Sequence, residues 1–392
     1  MRIFYASDTT PNSAFQSNLW RNNLYLPLVD LGHEVIEFEY DLRETFRNLD
    51  PGDSTQKRFI DRNRPKLSRE FVRQVKQAHA DKPLDLCFTY FYDACILPEA
   101  IDEIRSLSIK TVNWYCNGSY QLHLVAEISP HYDWCLVPEK FRMADYRAMG
   151  ADPVYCQEAA NPTIYKPYPA PLEFDVVFVG QAYGDRPAYI KYLLSQGIDV
   201  RVWGFGWEKF SAERKLDVNY LWQRGRQIGK KLLTPEGWQA LRNKLSQGIG
   251  SLQSDLPSAV FTLPEQVLGG VLSDTEMIQM YSRAKINLGF SSCGNTHETS
   301  ERILQVRLRD FEVPMSGGFY MVEYMEELEE FFKIGQEIVC YSGPEDMAEK
   351  VKYYLGHETE REKIRRAGYE RCQRDHTWHK RFQAVFKEMG LE

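Results

Sequence analysis

Short apolar runs separated by stretches of helical spacing recur along the whole of this 392-residue chain. In the first part, the runs 2–7, 34–40, 84–90, 110–114, 134–137 and 154–157 predict strands. Helices are predicted over 16–31, 98–107 and 141–149, and 41–81 is charged and mostly helical. Strands alternating with helices imply a parallel, doubly wound sheet. Prolines at 162, 167, 169 and 171 then mark a linker. Beyond it the pattern restarts, with strands at 174–180, 200–203, 285–290, 319–322 and 337–341 and helices at 187–196, 275–284 and 344–355. Ser342-Gly343-Pro344-Glu345 reads as a capping box for the last of these. The expected fold class is α/β with two Rossmann-like doubly wound domains, 1–168 and 172–365, and a tail, 366–392. Within the tail, Trp378, Phe382, Val385, Phe386 and Met389 form the apolar stripe of one helix.

An insertion, 208–268, interrupts the second domain and clusters Arg224, Arg226, Lys230, Lys231, Arg242 and Lys244. It reads either as a solvated helical hairpin or as a lid that touches an acceptor, a membrane surface or a partner.

Composition narrows the class. Hydrophobic residues make up 43% and charged residues 26%, which is ordinary for a globular protein. The net charge of −7 gives no general basic field for nucleic acid. No apolar run reaches the ~18 residues of a transmembrane helix. The chain starts directly on a predicted strand with no secretory signal, and its eight cysteines contain no C-x-x-C pair, so a cytoplasmic protein without a structural zinc is expected.

The stretch Arg307 to Tyr324 carries the most chemistry. Leu304, Leu308 and Phe311 predict one helical stripe, with Arg302 and Arg309 on another face and Glu312 a turn further on. Pro314 and Gly317-Gly318 end that helix. Before it, Ser291 to Ser300 is rich in small hydroxyl residues around Gly294, and free backbone N–H groups there would suit an anion. Arg302 or Arg309 would add contacts to phosphate oxygens. The alternative is an ordinary αβ unit with a solvated charged face.

Several segments resemble the GT-B glycosyltransferases, and within them the CgeB group of spore-maturation-type glycosyltransferase-like proteins. They are V-G-Q-A-Y-G-D-R (179–186), V-W-G-F-G-W (202–207), L-S-D-T-E-M-I-Q-M-Y-S-R-A-K-I-N-L (272–288), R-D-F-E-V-P-M-S-G-G-F (309–319) and H-T-W-H-K-R (376–381). The resemblance implies a nucleotide-diphosphate sugar donor held mainly by the second domain, with Glu312 on the ribose. Arg186 and Arg309 would face the diphosphate, and Gly180, Gly204, Gly294, Gly317 and Gly318 would admit the donor. It also implies that the acceptor uses the first domain and that the tail helix crosses back onto that domain near His376. The superfamily's paired glutamates are interrupted, since Leu304 stands eight residues before Glu312. Inversion and retention of configuration therefore both stay open.

An inverting reaction needs a first-domain group to take the acceptor's proton. Asp93 and His123 are the main candidates, with Asp8 and Glu158 also at predicted strand ends. No Asp-x-Asp lies near a predicted strand end, so arginines rather than a metal are expected at the phosphates, and no cofactor beyond the donor. His376 and His379 lack a third metal-ligand partner and read as a domain contact. A catalytically inactive binding or assembly protein, and a nucleotide-sugar epimerase or hydrolase, remain alternative readings.

Overall fold

The computed structural model describes residues 1–7, 17–46, 49, 51–211, 261–299 and 301–391. Asp8, Ser300 and nearly all of the insertion with its cationic cluster lie outside the described residues.

The first sheet has six strands: β1 (Arg2–Ala6), β2 (Glu34–Glu37), β3 (Leu86–Thr89), β4 (Lys110–Trp114), β5 (Trp134–Val137) and β6 (Pro153–Tyr155). Their order is β2-β1-β3-β4-β5-β6, and every pairing is parallel. Residues such as Ile3, Phe4 and Tyr5 are buried on both faces, as a helix-covered parallel sheet requires. Its long helix, Ser54–Asp81, starts at Asp53, whose carboxylate accepts from Thr55 N and Gln56 N, both at 2.9 Å. That helix buries Phe71 edge-on against Phe4, Phe38 and Phe91, with ring centroids 5.2–5.8 Å apart.

The second sheet comprises β7 (Phe174–Val179), β8 (Val200–Trp203), β9 (Ala284–Gly289), β10 (Tyr320–Glu323) and β11 (Val339–Tyr341), in the order β11-β10-β9-β7-β8. The described ladders β7–β9, β9–β10 and β10–β11 are parallel. Two parallel-sheet α/β domains are therefore present. The strand order reverses between β1 and β3 in one sheet and between β7 and β9 in the other, and ligands of open α/β sheets bind beyond strand C-termini at such points.

By contact density the chain divides into two compact units. The larger holds Met1–Phe178, Tyr183–Val200 and Leu272–Glu392, and the smaller holds Val179–Ala182 and Arg201–Val271. In the smaller unit, Trp207 Nε1 donates to Gly180 O at 2.7 Å and Gly204 N donates to Gly270 O at 2.7 Å.

In the larger unit the tail helix is Trp378–Glu388. Trp378 packs edge-on against Trp114 (5.4 Å) and Phe382 against Phe88 (5.8 Å). Trp378, Phe382, Val385, Phe386 and Met389 all join the first-domain core. The chain meets itself at the crossing, where Ala160 N donates to His376 O (3.2 Å) and Trp378 N donates to Ala160 O (3.3 Å). His376 precedes the helix, packed among Phe311, Phe331 and Phe332, while His379 pairs with Asp30 at 3.2 Å. All eight cysteines are buried free thiols. No helix among the described residues is long and apolar enough to cross a membrane.

Two expected local features are corrected. The helix of the central stretch runs only Leu308–Met315. Residues 302–307 instead run back along the loop after β9, with Cys293 N bonded to Ile303 O (2.9 Å) and Gln305 N to Ser291 O (3.0 Å). Leu304 thus sits in an antiparallel bridge with Ser292, so its helical spacing from Leu308 is fortuitous. The expected capping box at Ser342 is absent: Ser342 N and Oγ both donate to Asp346 (2.9 and 3.2 Å), not to Glu345. The described capping box with serine and glutamate lies at Ser273–Glu276, where Ser273 N donates to Glu276 Oε2 at 2.8 Å.

Candidate active site

The loop after β9 builds the centre. Part of the N–H supply expected there for an anion is taken up within the protein. Ser291 N and Ser292 N both donate to Glu323 Oε2 at 3.2 Å, and Cys293, Thr296, Glu298 and Thr299 spend their N–H groups on backbone carbonyls. Arg302 is likewise committed, 2.6 Å from both Asp185 and Glu323.

Arg307, which the sequence reading passed over, takes the central place. Its Nε donates to Phe290 O (2.9 Å) and its Nη2 to Ser292 O (2.5 Å). The guanidinium is thereby fixed by the carbonyls that follow β9. Among the described residues no carboxylate lies within ion-pair reach of it. Its neighbours Arg186 and Arg309 complete a cationic group. Arg186 lies over the Tyr183 ring at 3.8 Å, and its Nη2 donates to Tyr183 Oη at 2.6 Å. Burial, then the charges of Arg307 and Arg309, pull the Arg186 pKa down to about 9, so it remains a cation at neutral pH. Arg309 Nε donates to Tyr281 Oη at 3.4 Å. Arg186 is repelled by both of the other guanidiniums, a repulsion that a bound anion would ease.

Glu312 faces Arg309 from the same helix and is 3% exposed. Its Oε1 has no hydrogen-bond partner among the described residues. Burial raises its pKa to about 7, which Tyr165 and Arg309 offset only in part. The remaining expected donor contacts are glycines, and several of them also lie in close packing. Gly317 closes the helix at φ +72°. A Cβ on Gly318 would lie 2.8 Å from both Asn287 Nδ2 and Val313 Cγ1. Gly318→Ala should therefore lower stability by about 1–3 kcal/mol while sparing nucleotide affinity. A melt paired with a titration reads both, and affinity lost at unchanged stability would return Gly318 to the donor site. Gly204 backs onto Gly180 in the smaller unit, where a Cβ would come 2.4 Å from Gly180 O. Gly294 turns at φ +48°, with Tyr120 of the first domain 3.4 Å from where its Cβ would be.

The first domain reaches this loop through Ser119, whose Oγ donates to Gln305 Oε1, itself 3.1 Å from Cys293 Sγ. Of the expected proton acceptors, Asp93 caps a turn: its carboxylate accepts from Glu127 N (3.2 Å) and Ile128 N (3.1 Å). His123 is exposed on the 3-10 turn Leu122–Leu124. Glu139, not anticipated, is buried with Oε1 accepting from Ser119 N (3.1 Å). Glu158 is 6% exposed, and no donor among the described residues bonds its carboxylate.

Burial raises the pKa of Asp93 and Asp310 to about 6 and of Glu139 and Glu312 to about 7. Such groups hold their proton more tightly folded than unfolded, so their contribution to stability falls as pH rises from the unfolded values toward 6–7, and these four outweigh buried His376, which is held down to about 3 and acts in the opposite sense. Melting temperature is expected to be higher at about pH 5.5 than at about pH 8. A profile flat or rising across that window would contradict the burial of these carboxyls.

The sequence pattern of the family described as glycosyl transferase-like matches residues 187–387. Solved structures share the fold at low identity. Sucrose-phosphate synthase from Thermosynechococcus elongatus is 13% identical, with a TM-score of 0.55 and 99% of each chain covered. Anabaena HepE, solved in complex with UDP-glucose, is 11% identical, with a TM-score of 0.54 over 100% of this chain and 99% of that one. A glycosyltransferase from Rickettsia africae is 11% identical, with a TM-score of 0.52 over 98% and 97%. No curated protein matches the sequence.

Proposed function

The chain belongs to the glycosyl transferase-like family, and from that premise we propose that it moves a sugar from a nucleotide-diphosphate donor to an acceptor, without a metal. The observation that carries this reading is Arg307, a guanidinium held by the carbonyls after β9, with no carboxylate of the described residues within ion-pair reach, and grouped with Arg186 and Arg309. Breaking the bond between sugar and phosphate leaves negative charge on the departing diphosphate, and preorganised cations stabilise that charge most where water is scarce. Glu312, beside Arg309, is the proposed partner of the ribose hydroxyls. HepE, which shares the fold, was solved with UDP-glucose, so a uridine donor is the first to try. The motifs at 179–186 and 309–319 favour the CgeB group within the family, and the eight buried thiols suit a reducing compartment.

The test is calorimetric titration with UDP and GDP, followed by turnover of the corresponding sugar nucleotides with and without EDTA. The expected result is binding of one diphosphate and turnover that survives chelation. Activity abolished by EDTA and restored by Mg²⁺ or Mn²⁺ would refute the metal-free reading, and binding of neither diphosphate would refute the donor reading.

A further inference from the structure

The long helix Ser54–Asp81 carries eight lysines and arginines against three carboxylates, in a chain whose net charge is −7. Its residues Ile60, Leu67, Phe71, Val75 and Ala78 are buried in the first-domain core. Arg58, Arg62, Lys66, Arg69, Arg73 and Lys76 follow one another at intervals of four, four, three, four and three residues, and all six are exposed. That spacing aligns them in one row on the face opposite the core. At 1.5 Å of rise per residue the row is about 27 Å long. Arg73 pairs with Glu70 at 2.7 Å and Lys76 pairs with Glu103, both at the surface, where such pairs exchange readily for other anions. Among the described residues Arg58, Arg62, Lys66 and Arg69 have no hydrogen bond and no ion pair. Beside the row, between this helix and the helix Pro98–Ser106, runs a groove of about 650 Å³. Four of the six cations line it, together with the apolar Val72, Leu97 and Ala100 and the carboxylates Glu99 and Glu103.

We propose that this face docks the protein on a membrane surface rich in anionic lipids. The cations meet the lipid phosphates, and the groove takes the glycerol end of one lipid against its apolar residues. A straight row on an exposed helix face matches a flat anionic surface, and each lysine or arginine held near one strengthens binding about fivefold. A soluble polyanion would use the charge alone. Single-stranded nucleic acid also needs exposed aromatic platforms, and this helix presents none, since Phe59 is half-buried and Phe71 is buried. No apolar residue interrupts the row, so the helix lies on the headgroups rather than sinking among the acyl chains. Docking of this kind goes beyond the donor site and does not depend on it.

The test is co-sedimentation of the full chain with vesicles of phosphatidylcholine alone and of phosphatidylcholine with about 30 mol% phosphatidylglycerol. Wild type is compared with R62Q/K66Q/R69Q, which removes three unpaired cations of the row. The control is K363Q/R366Q/K387Q, which removes three exposed cations of other helices and changes net charge equally. Both variants should melt like wild type, because only exposed side chains are altered. Expected is binding to the anionic vesicles at least about tenfold tighter than to the neutral ones, lost between about 0.1 and 0.5 M salt. The row variant should bind at least about 20-fold more weakly and the control within about twofold of wild type. Polyaspartate or single-stranded DNA added at the same total charge should displace little protein. Equal binding to the two vesicles, binding by the row variant within about threefold of wild type, or an equal loss in the control would overturn the proposal. Full displacement by polyaspartate or DNA would overturn it too, and assign the row to a soluble polyanion.

Discussion

Replacing Arg307 by alanine should weaken UDP binding by about 1.5–3 kcal/mol, roughly 10- to 150-fold, the worth of charge-assisted bonds to phosphate. Turnover should fall further, by about 10²–10³, because the diphosphate's charge grows as the sugar departs. The guanidinium costs little to organise at that moment, since Phe290 O and Ser292 O hold it in advance. Arg307→Lys should recover little, because one ammonium cannot satisfy those carbonyls and face an anion with a planar edge. Arg302→Ala is the contrasting variant. Arg302 is spent on Asp185 and Glu323, so its loss should reduce stability and leave affinity nearly intact. Calorimetry of the three folded variants decides the matter. If Arg302→Ala loses UDP while Arg307→Ala keeps it, the diphosphate seat has been assigned to the wrong arginine.

Trp378→Ala should destabilise the protein by about 3–5 kcal/mol, read from urea unfolding. Trp378 and Phe382 are fully buried, and their rings meet Trp114 and Phe88 of the first domain. Removing the indole leaves a cavity between two elements, each fixed by its own sheet or helix, that cannot easily collapse. Trp378→Phe should cost less than about 1.5 kcal/mol, because the indole N–H has no hydrogen-bond partner to lose among the described residues. A cost below about 1 kcal/mol for the alanine variant would show that the tail helix is not part of that core.

Much of the fold is legible in the sequence because its signals are local. β4 (Lys110–Trp114), β5 (Trp134–Val137) and β8 (Val200–Trp203) occupy the residues that their apolar runs predict, and the helix 98–106 begins at the expected Pro98. The site is less legible because its decisive contacts are long-range. Helical spacing linked Leu304 to Leu308, but bonds from 303 and 305 back to 293 and 291 pull that segment out of the helix. Nothing nearby in sequence announces that Glu323, from the next strand, would take the amides of Ser291 and Ser292 in the loop 291–300. Arg307 carries no signal in the sequence because only the tertiary structure shows that Arg302 is ion-paired to two carboxylates while Arg307, among the described residues, is ion-paired to none. Glu139 gave no signal beyond being one carboxylate among many.

The crossing of the chain at Ala160 and Thr377 has a consequence for biosynthesis. The first domain is translated before the second, yet Trp378, Phe382 and Phe386, which fill its interior, are made only after the second domain. Until then that domain exposes an apolar surface that this later helix of its own chain must cover. Domain-by-domain folding during synthesis, the usual route for chains of this size, is closed to it. Maturation must wait for the helix Trp378–Glu388, and a nascent chain stalled short of it would be the form most in need of a chaperone.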